Sequence, residues 1–278
     1  MIRHPHTLCA IVLTYNEEKH IRRCLTRTLD FCRDIYVVDS YSTDRTPEIC
    51  RQFSRVHLVQ HSWPGNQALQ FNWALGHLPL KTDWILRLDA DEYLLPGEGE
   101  RLLNAIQELP GDVNGLMLLR LRYFLGRHIR YGGTDKIPLL RAFRRGTANC
   151  EYRAMDEHIV LKQGRAYLSD ILFADNNRES LDFWMSKHIH YAHREADTLI
   201  HDTSSSAHLH RQLSNKRKIK ALYARLPLFW RAAGLFFYRY ILRLGFLDGR
   251  EGFLWHFLQG WWYRSIADQF IREKSHSS

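Results

Sequence analysis

Residues 84–92, Trp84-Ile85-Leu86-Arg87-Leu88-Asp89-Ala90-Asp91-Glu92, decide the reading of the fold. A short apolar run that ends in two carboxylates one residue apart is the pattern of a buried strand delivering polar side chains at its carboxyl end. Open α/β sheets bind their ligands there. Two hard oxygen donors at that place suit Mg²⁺ or Mn²⁺, and such an ion suits a diphosphate. An Asp-x-Asp pair also occurs in solvated strand-to-loop turns, so its meaning depends on the sequence around it.

The upstream sequence supplies that context. Leu8 to Leu13 is apolar, too short for a typical helix, and ends in Thr14-Tyr15-Asn16-Glu17-Glu18; it is expected to be a buried parallel strand. Asn16 can cap the next helix, whose buried stripe is expected to be Ile21, Leu25, Leu29 and Cys32. A second strand, Ile35 to Val38, ends in Asp39-Ser40, and Thr46-Pro47 reads as an N-cap with proline at the first helical position. Val56 to Val59 is a third strand, and a helix carrying Gln67, Gln70 and Asn72 precedes the fourth at Trp84. The order βαβαβαβ predicts an α/β fold with a doubly wound sheet.

Each strand then brings polar side chains to its carboxyl end: Thr14 and Asn16, then Asp39, Ser42 and Asp44, then Asp89 and Asp91. Such convergence fits a nucleotide crevice, where a carboxylate accepts from a base N–H or a ribose hydroxyl. Neither a Gly-x-x-x-x-Gly-Lys loop nor a Gly-x-Gly-x-x-Gly turn is present, which leaves metal bridging as the device for holding phosphates.

Three of these segments together, Ala10-Ile11-Val12-Leu13-Thr14-Tyr15-Asn16-Glu17-Glu18, Tyr36-Val37-Val38-Asp39-Ser40 with Ser42-Thr43-Asp44, and Leu88-Asp89-Ala90-Asp91-Glu92, resemble glycosyltransferase family two. Within it, the chain is similar to the branch that includes lipopolysaccharide-core β-1,4-glucosyltransferases, over roughly residues 7 to 165. The resemblance implies a GT-A fold, a nucleotide-sugar donor, a divalent metal (Mn²⁺ or Mg²⁺) and inversion at the anomeric carbon. It implies that Thr14, Asn16 and Glu17 belong to the nucleotide pocket, that Asp39 holds base or ribose, and that Asp91 ligates the metal with Asp89 nearer the sugar and ribose. Ser42 and Asp44 join the same pocket. Turn and helix capping is the alternative role for Asp39 and Asp44, and capping and ligand contact are compatible in Asn16.

An inverting transfer needs a carboxylate to take the acceptor hydroxyl proton. Met155-Asp156-Glu157-His158-Ile159 offers it: the resemblance favours Glu157, with Asp156 as the other candidate, and an acidic turn before a strand His158 to Leu161 is the plain alternative. The glycine-arginine region Gly126-Arg127-His128, Arg130-Tyr131-Gly132-Gly133 and Pro138 to Arg145 lies on the acceptor side in relatives. Here Thr134-Asp135-Lys136 stands where aromatic residues are expected. His188, His190 and His193 fall in one expected helix from Leu181 to Ile200, as a solvated or acceptor-facing surface or as a late metal ligand. No zinc pattern accompanies them.

Composition sets the remaining bounds. The 278 residues suffice for one catalytic domain with an appendage. Five cysteines without paired spacing read as buried reduced thiols of a cytosolic protein. Met1 to His6 lacks a secretory apolar region. The net charge of +9 is concentrated at the end: Lys and Arg outnumber Asp and Glu by 12 to 4 over residues 216–278 and by only 27 to 26 before them. Fifteen of the 35 aromatic residues lie between Tyr223 and Phe270, yet the longest uncharged stretch there, Gly252 to Tyr263, is twelve residues, against the roughly 20 that a spanning helix needs.

Lys216-Arg217-Lys218-Ile219-Lys220, with later arginines interleaved among aromatics, therefore predicts helices lying in an anionic membrane interface. A packed helical lid or a dimer contact is the alternative; nucleic acid binding lacks any recognition motif. The expected domains are 1–215, catalytic, and 216–278, a basic aromatic tail. The whole reads as a cytoplasmic glycosyltransferase, peripheral on the inner face of the membrane, acting on a lipid-linked glycan or lipopolysaccharide-core acceptor. A nucleotidyltransferase would instead need basic side chains near the first strand, where the loop is acidic, and an inactive sugar-binding scaffold would not need Asp89, Asp91 and Glu157 intact.

Overall fold

The structure, a computed structural model, describes residues 8–152, 157–201, 223 and 226–276. Asp156, the Lys216 to Lys220 cluster and the expected boundary at residue 215 lie outside these. Two compact units are present, one of Met1–His128 with Asp135–Arg178 and one of Ile129–Thr134 with Glu179–Ser278.

The first unit is built on β1 (Leu8–Thr14), β2 (Ile35–Asp39), β3 (Val56–Gln60) and β4 (Trp84–Asp89), which run parallel in the order β3-β2-β1-β4. Helices α1 (Ile21–Leu29), α2 (Thr46–Arg51) and α3 (Gln67–His77) form the crossovers. Both faces are covered, which is why β1 is buried at every position and apolar from Leu8 to Leu13 rather than at alternate ones. Leu8, Ala10 and Val12 join Ile21, Cys24 and Leu25 on one side. Cys9, Ile11 and Leu13 join Ala68, Phe71 and Ala74 on the other.

Beyond β4 the sheet departs from simple doubly wound order. β5 (Glu92–Leu94), α4 (Glu98–Glu108), β6 (Val113–Phe124), β7 (Arg127–His128), β8 (Ile137–Arg144), β9 (Ala148–Cys150), β10 (Ile159–Leu161) and β11 (Arg165–Asp175) follow. The sheet continues β4-β8-β6-β11-β5, with β8 antiparallel to both its neighbours and β5 antiparallel to β11. The result is a mixed sheet with flanking helices.

Two local expectations are corrected. Asn16 does not cap α1: its φ is +54°, a left-handed turn conformation that asparagine tolerates, and the helix starts at Ile21 after His20. Thr46 is the first residue of α2 rather than its cap, because its hydroxyl is taken by the Glu17 N–H at 2.8 Å. All five cysteines are buried and unpaired.

The second unit holds α5 (Leu181–His201), α6 (Trp230–Phe237, continuing as a π-helical turn through Leu242), a 3₁₀ turn Gly245–Asp248, α7 (Gly249–His256) and α8 (Tyr263–His276), the last two joined through a π-helical stretch Phe257–Trp262. α5 belongs to this unit because it packs on α8, Ala192 against Tyr263 and Ala267. The Tyr263 hydroxyl donates to Glu195 at 2.5 Å, and Arg231 and Asp268 form a buried ion pair. Asp248, also buried, accepts from the backbone N–H groups of Arg130 and Tyr131 at 3.1 and 2.8 Å, which draws residues 129–134 into this unit. Among the described residues no helix is long and apolar enough to cross a membrane.

Candidate active site

The carboxyl ends of β1, β2 and β4 come together because these strands are neighbours in register, Thr14 beside Asp39 and Leu13 beside Asp89. The loops after β1 and β2 are then stitched to each other. Asn16 N–H donates to Ser42 Oγ at 2.8 Å, and its side-chain oxygen accepts from Thr43 N–H at 2.8 Å. Glu18 N–H donates to Asp44 at 3.0 Å. Asp39 is fully buried and accepts from Ser42 N–H at 2.9 Å and from the Ser42 hydroxyl, so it organises the turn. Asp44 is held below its ordinary range: burial opposes ionisation, but hydrogen bonds from Thr46 and Glu18 outweigh it. The Thr14 hydroxyl is buried at the strand end with no hydrogen-bond partner, a cost that native proteins seldom leave uncompensated.

The acidic pair stands on β4 and the turn after it. Asp89 accepts from Gln67 Nε2 at 3.2 Å, and the guanidinium groups of Arg87 and Arg141 each come within 3.8 Å of it. Beneath it Glu92 is buried, paired with Arg141, and accepts the Asp89 N–H at 3.0 Å. Burial pushes the Glu92 carboxyl up, against the pull of the Arg141 guanidinium that pairs with it. Asp91 accepts from Asn177 Nδ2 at 3.0 Å. Its carboxyl is pushed up to about 6, first by burial and then by Asp175, Glu17 and Asp89, with only the Asn177 amide pulling the other way.

That crowding is the observation by which a metal can be tested. Asp91 lies in a surplus of negative charge at hard oxygen atoms, which a divalent cation would relieve. Asp89 and Asp91 offer oxygen donors here, and no group of three or more His, Cys, Asp or Glu side chains forms a cage among the described residues. A site with two protein oxygens leaves most of a Mg²⁺- or Mn²⁺-type coordination sphere to phosphate oxygens, so the donor set fits such an ion.

Glu17 and the loop after β11 are joined by a histidine that the motifs do not mark. His20 is buried; its Nδ1 lies 2.6 Å from Glu17 Oε2 and its Nε2 accepts from Arg178 N–H at 2.7 Å. With Nε2 accepting, the network assigns the proton to Nδ1, which donates to Glu17. Asn177, next in the chain, is thereby held where it reaches Asp91.

Glu157 is bound to the start of α3. Asn66 caps that helix, its oxygen accepting from Ala68 and Leu69 N–H, while its Nδ2 lies 3.4 Å from Glu157 Oε1. The next residue, Gln67, is the one that holds Asp89. Consecutive residues therefore grip the two carboxylates. Neither Asn66 nor Asn177 was among the expected site residues; Asn66 had a local signal, a cap before an apolar stripe, whereas Asn177 had none. Of the α5 histidines, His188 and His193 are engaged within their own unit: His188 Nδ1 bonds the Trp184 carbonyl at 2.8 Å and its Nε2 faces Gln259 at 2.8 Å, and His193 stacks on Phe270.

Residues 9–145 match the family described as Glycosyl transferase family 2. The chain is 34% identical over 88 residues to the SPbeta prophage-derived glycosyltransferase SunS of Bacillus subtilis (strain 168), covering 31% of this chain and 20% of that protein. It is 28% identical over 143 residues to the lipopolysaccharide core biosynthesis glycosyltransferase LpsC of Rhizobium meliloti (strain 1021), covering 50% of this chain and 51% of that one. The chain thus spans about half of LpsC or less of the curated relatives it matches. Among solved structures, the mannosyltransferase PcManGT from Pyrobaculum calidifontis, in complex with GDP-Man and Mn²⁺, aligns with a TM-score of 0.58 at 17% identity over 96% of this chain and 87% of that one. At that identity the likeness is one of fold, the GT-A type.

Proposed function

Because the chain is a member of glycosyl transferase family 2, we propose that this glycosyltransferase is metal-dependent and inverting, and moves a hexose from a nucleotide-sugar, UDP-linked in the first instance, to a lipid-anchored glycan in surface polysaccharide or lipopolysaccharide assembly. The observation that carries the reading is the grip of Asn66 on Glu157 and of Gln67 on Asp89, which holds a candidate base and a candidate donor-binding carboxylate from one helix end. The nucleotide lies against the stitched loops of Thr14 to Glu17 and Asp39 to Asp44, where the unpartnered Thr14 hydroxyl is satisfied by it. Asp91, with Asp89 beside it, would hold the divalent ion, which when bound would supply positive charge to the leaving diphosphate.

Glu157, or Asp156 next to it, accepts the proton of the acceptor hydroxyl as that oxygen attacks the anomeric carbon from the face opposite the diphosphate. Asn66 orients the Glu157 carboxylate; Asn177, fixed through His20, orients Asp91. The similarity to LpsC supports a lipopolysaccharide-core acceptor, and a lipid-anchored acceptor supports a peripheral position on the cytoplasmic face of the membrane, in contact with anionic lipid. The test is hydrolysis and transfer by the purified protein with Mn²⁺ or Mg²⁺ over UDP-, GDP- and dTDP-sugars, GDP-mannose included because the mannosyltransferase of like fold binds it. Inversion is read from the anomeric configuration of the product; turnover undiminished by chelation, or retention of configuration, overturns the respective part of the proposal.

A further inference from the structure

Twelve large apolar side chains between Leu226 and Trp261 are exposed in the second unit, far more than the scattered singles of an ordinary surface. Part of this surface is continuous. Phe246 meets Tyr240 at 6.3 Å between ring centres, Tyr240 meets Phe253 at 5.6 Å, Phe253 stacks with Phe257 at 5.9 Å, and Phe257 meets Trp261 at 5.8 Å. Phe246, Phe253 and Trp261 remain 43%, 42% and 42% exposed. Positions 253, 257 and 261 are four apart along one continuous helix, so they present one stripe. The turn before it adds Leu242 and Leu247 at 62% and 48%.

The fully exposed charge beside this stripe is positive, while Glu251 on the same helix is half-buried. Arg243 and Arg250 are exposed beside it. The only acidic residue between Leu226 and Arg250 is Asp248, and its carboxylate is buried on the N–H groups of Arg130 and Tyr131. The same bonds hold the turn that carries Phe246 and Leu247. A second copy of the chain is a poor occupant, because a two-fold contact would set each patch with its arginines against itself. An anionic bilayer matches both components, aromatic rings at the acyl boundary and guanidinium groups at the phosphates.

We propose that the face made by Phe246, Tyr240, Phe253 and Trp261, framed by Arg243 and Arg250, docks in the headgroup region of a bilayer containing anionic lipid. This rests on the membrane-peripheral reading above and deepens it by naming the residues that enter the interface. The experiment is flotation of the full chain with phosphatidylcholine vesicles with and without phosphatidylglycerol, compared with Phe246→Ser/Phe253→Ser and with Arg243→Glu/Arg250→Glu. Folding of each variant is checked by circular dichroism, and donor hydrolysis is measured on the same preparations.

Wild type is expected to float with the anionic vesicles and to be released by salt. The double serine variant should bind about tenfold more weakly or worse, since each ring removed forfeits apolar burial, and the charge-reversed variant should lose its preference for phosphatidylglycerol. Donor hydrolysis should be unchanged in both, and its absence in wild type would count against glycosyl transfer alone, not against docking. Wild type that does not float, or serine variants that float as wild type does, overturn the proposal. So does a dimer in light scattering that the serine variants dissociate without any flotation, which assigns the face to a second copy.

Discussion

Replacing Arg141 by methionine tests whether the ion pair beneath the acidic strand end is a structural necessity. Arg141 and Glu92 are each less than a tenth exposed, the guanidinium lies over the Phe173 ring at 5.3 Å, and Glu92 also accepts the Asp89 N–H. Methionine retains much of the apolar contact with Phe173 but leaves a buried carboxylate without its cation. Breaking one side of a buried pair costs about 3–5 kcal/mol, or roughly two to three and a half powers of ten in the folding equilibrium. Glu92→Gln keeps an acceptor for the Asp89 N–H and removes the charge, so the double variant Glu92→Gln/Arg141→Met should be more stable than Arg141→Met alone. Urea unfolding of the four proteins closes the cycle, with a coupling of about 2 kcal/mol expected for groups in direct contact. If Arg141→Met costs less than about 1 kcal/mol, or the two single losses simply add, then the pair is not what fixes Asp89 and the reasoning fails.

Three further outcomes follow from the geometry. Glu157→Gln should bind donor normally and lose transfer by about 10²- to 10⁴-fold, the range of a general base; normal turnover in Glu157→Gln with a dead Asp156→Asn moves the base to Asp156, and activity in both removes it from this segment. Asp91→Ala should abolish Mn²⁺-dependent donor affinity in calorimetry, at a cost of several kcal/mol in the transfer step, and unchanged affinity would contradict a metal role. His256 is buried beside Arg239, and burial first, then that arginine, push its pKa from 6.5 to about 4, with Asp248 opposing. A lowered histidine pKa means that the unfolded chain binds the extra proton, so stability contributed here is full above pH 6.5 and falls as pH drops toward 4. His256→Phe should flatten that part of the pH profile, and an unaltered profile would refute the assignment.

The parallel half of the sheet was legible in the sequence because strands buried on both faces leave unbroken apolar runs, as in Leu8 to Leu13 and Ile35 to Val38. The remainder was not, since β6 and β8 carry Arg120, Arg122, Arg141 and Arg144 and β11 carries Asp170 within the strands, and charges in a strand mask its periodicity. Asn16 and Thr46 read as caps because their side chains suit capping; the structure uses the same atoms to join two loops, a competition that only the register of β1 with β2 decides. Asp89 and Asp91 could be found from their spacing. Asn177 could not, because nothing local to residue 177 reveals that β11 returns beside β5. The helix at Leu181 was legible as a helix, but its membership in the second unit depends on Tyr263 and Ala267, more than 60 residues away in the chain.

The five buried cysteines have a practical consequence. Burial raises every one of their thiols above the ordinary range, Cys50 to about 12, and only the thiolate attacks an alkylating reagent. The native chain is therefore expected to react slowly with maleimides at neutral pH, so that a cysteine introduced on the surface would be the preferred labelled position. A spin label or environment-sensitive dye at residue 246 or 250 could report depth and motion on a lipid surface without removing a single native sulfur.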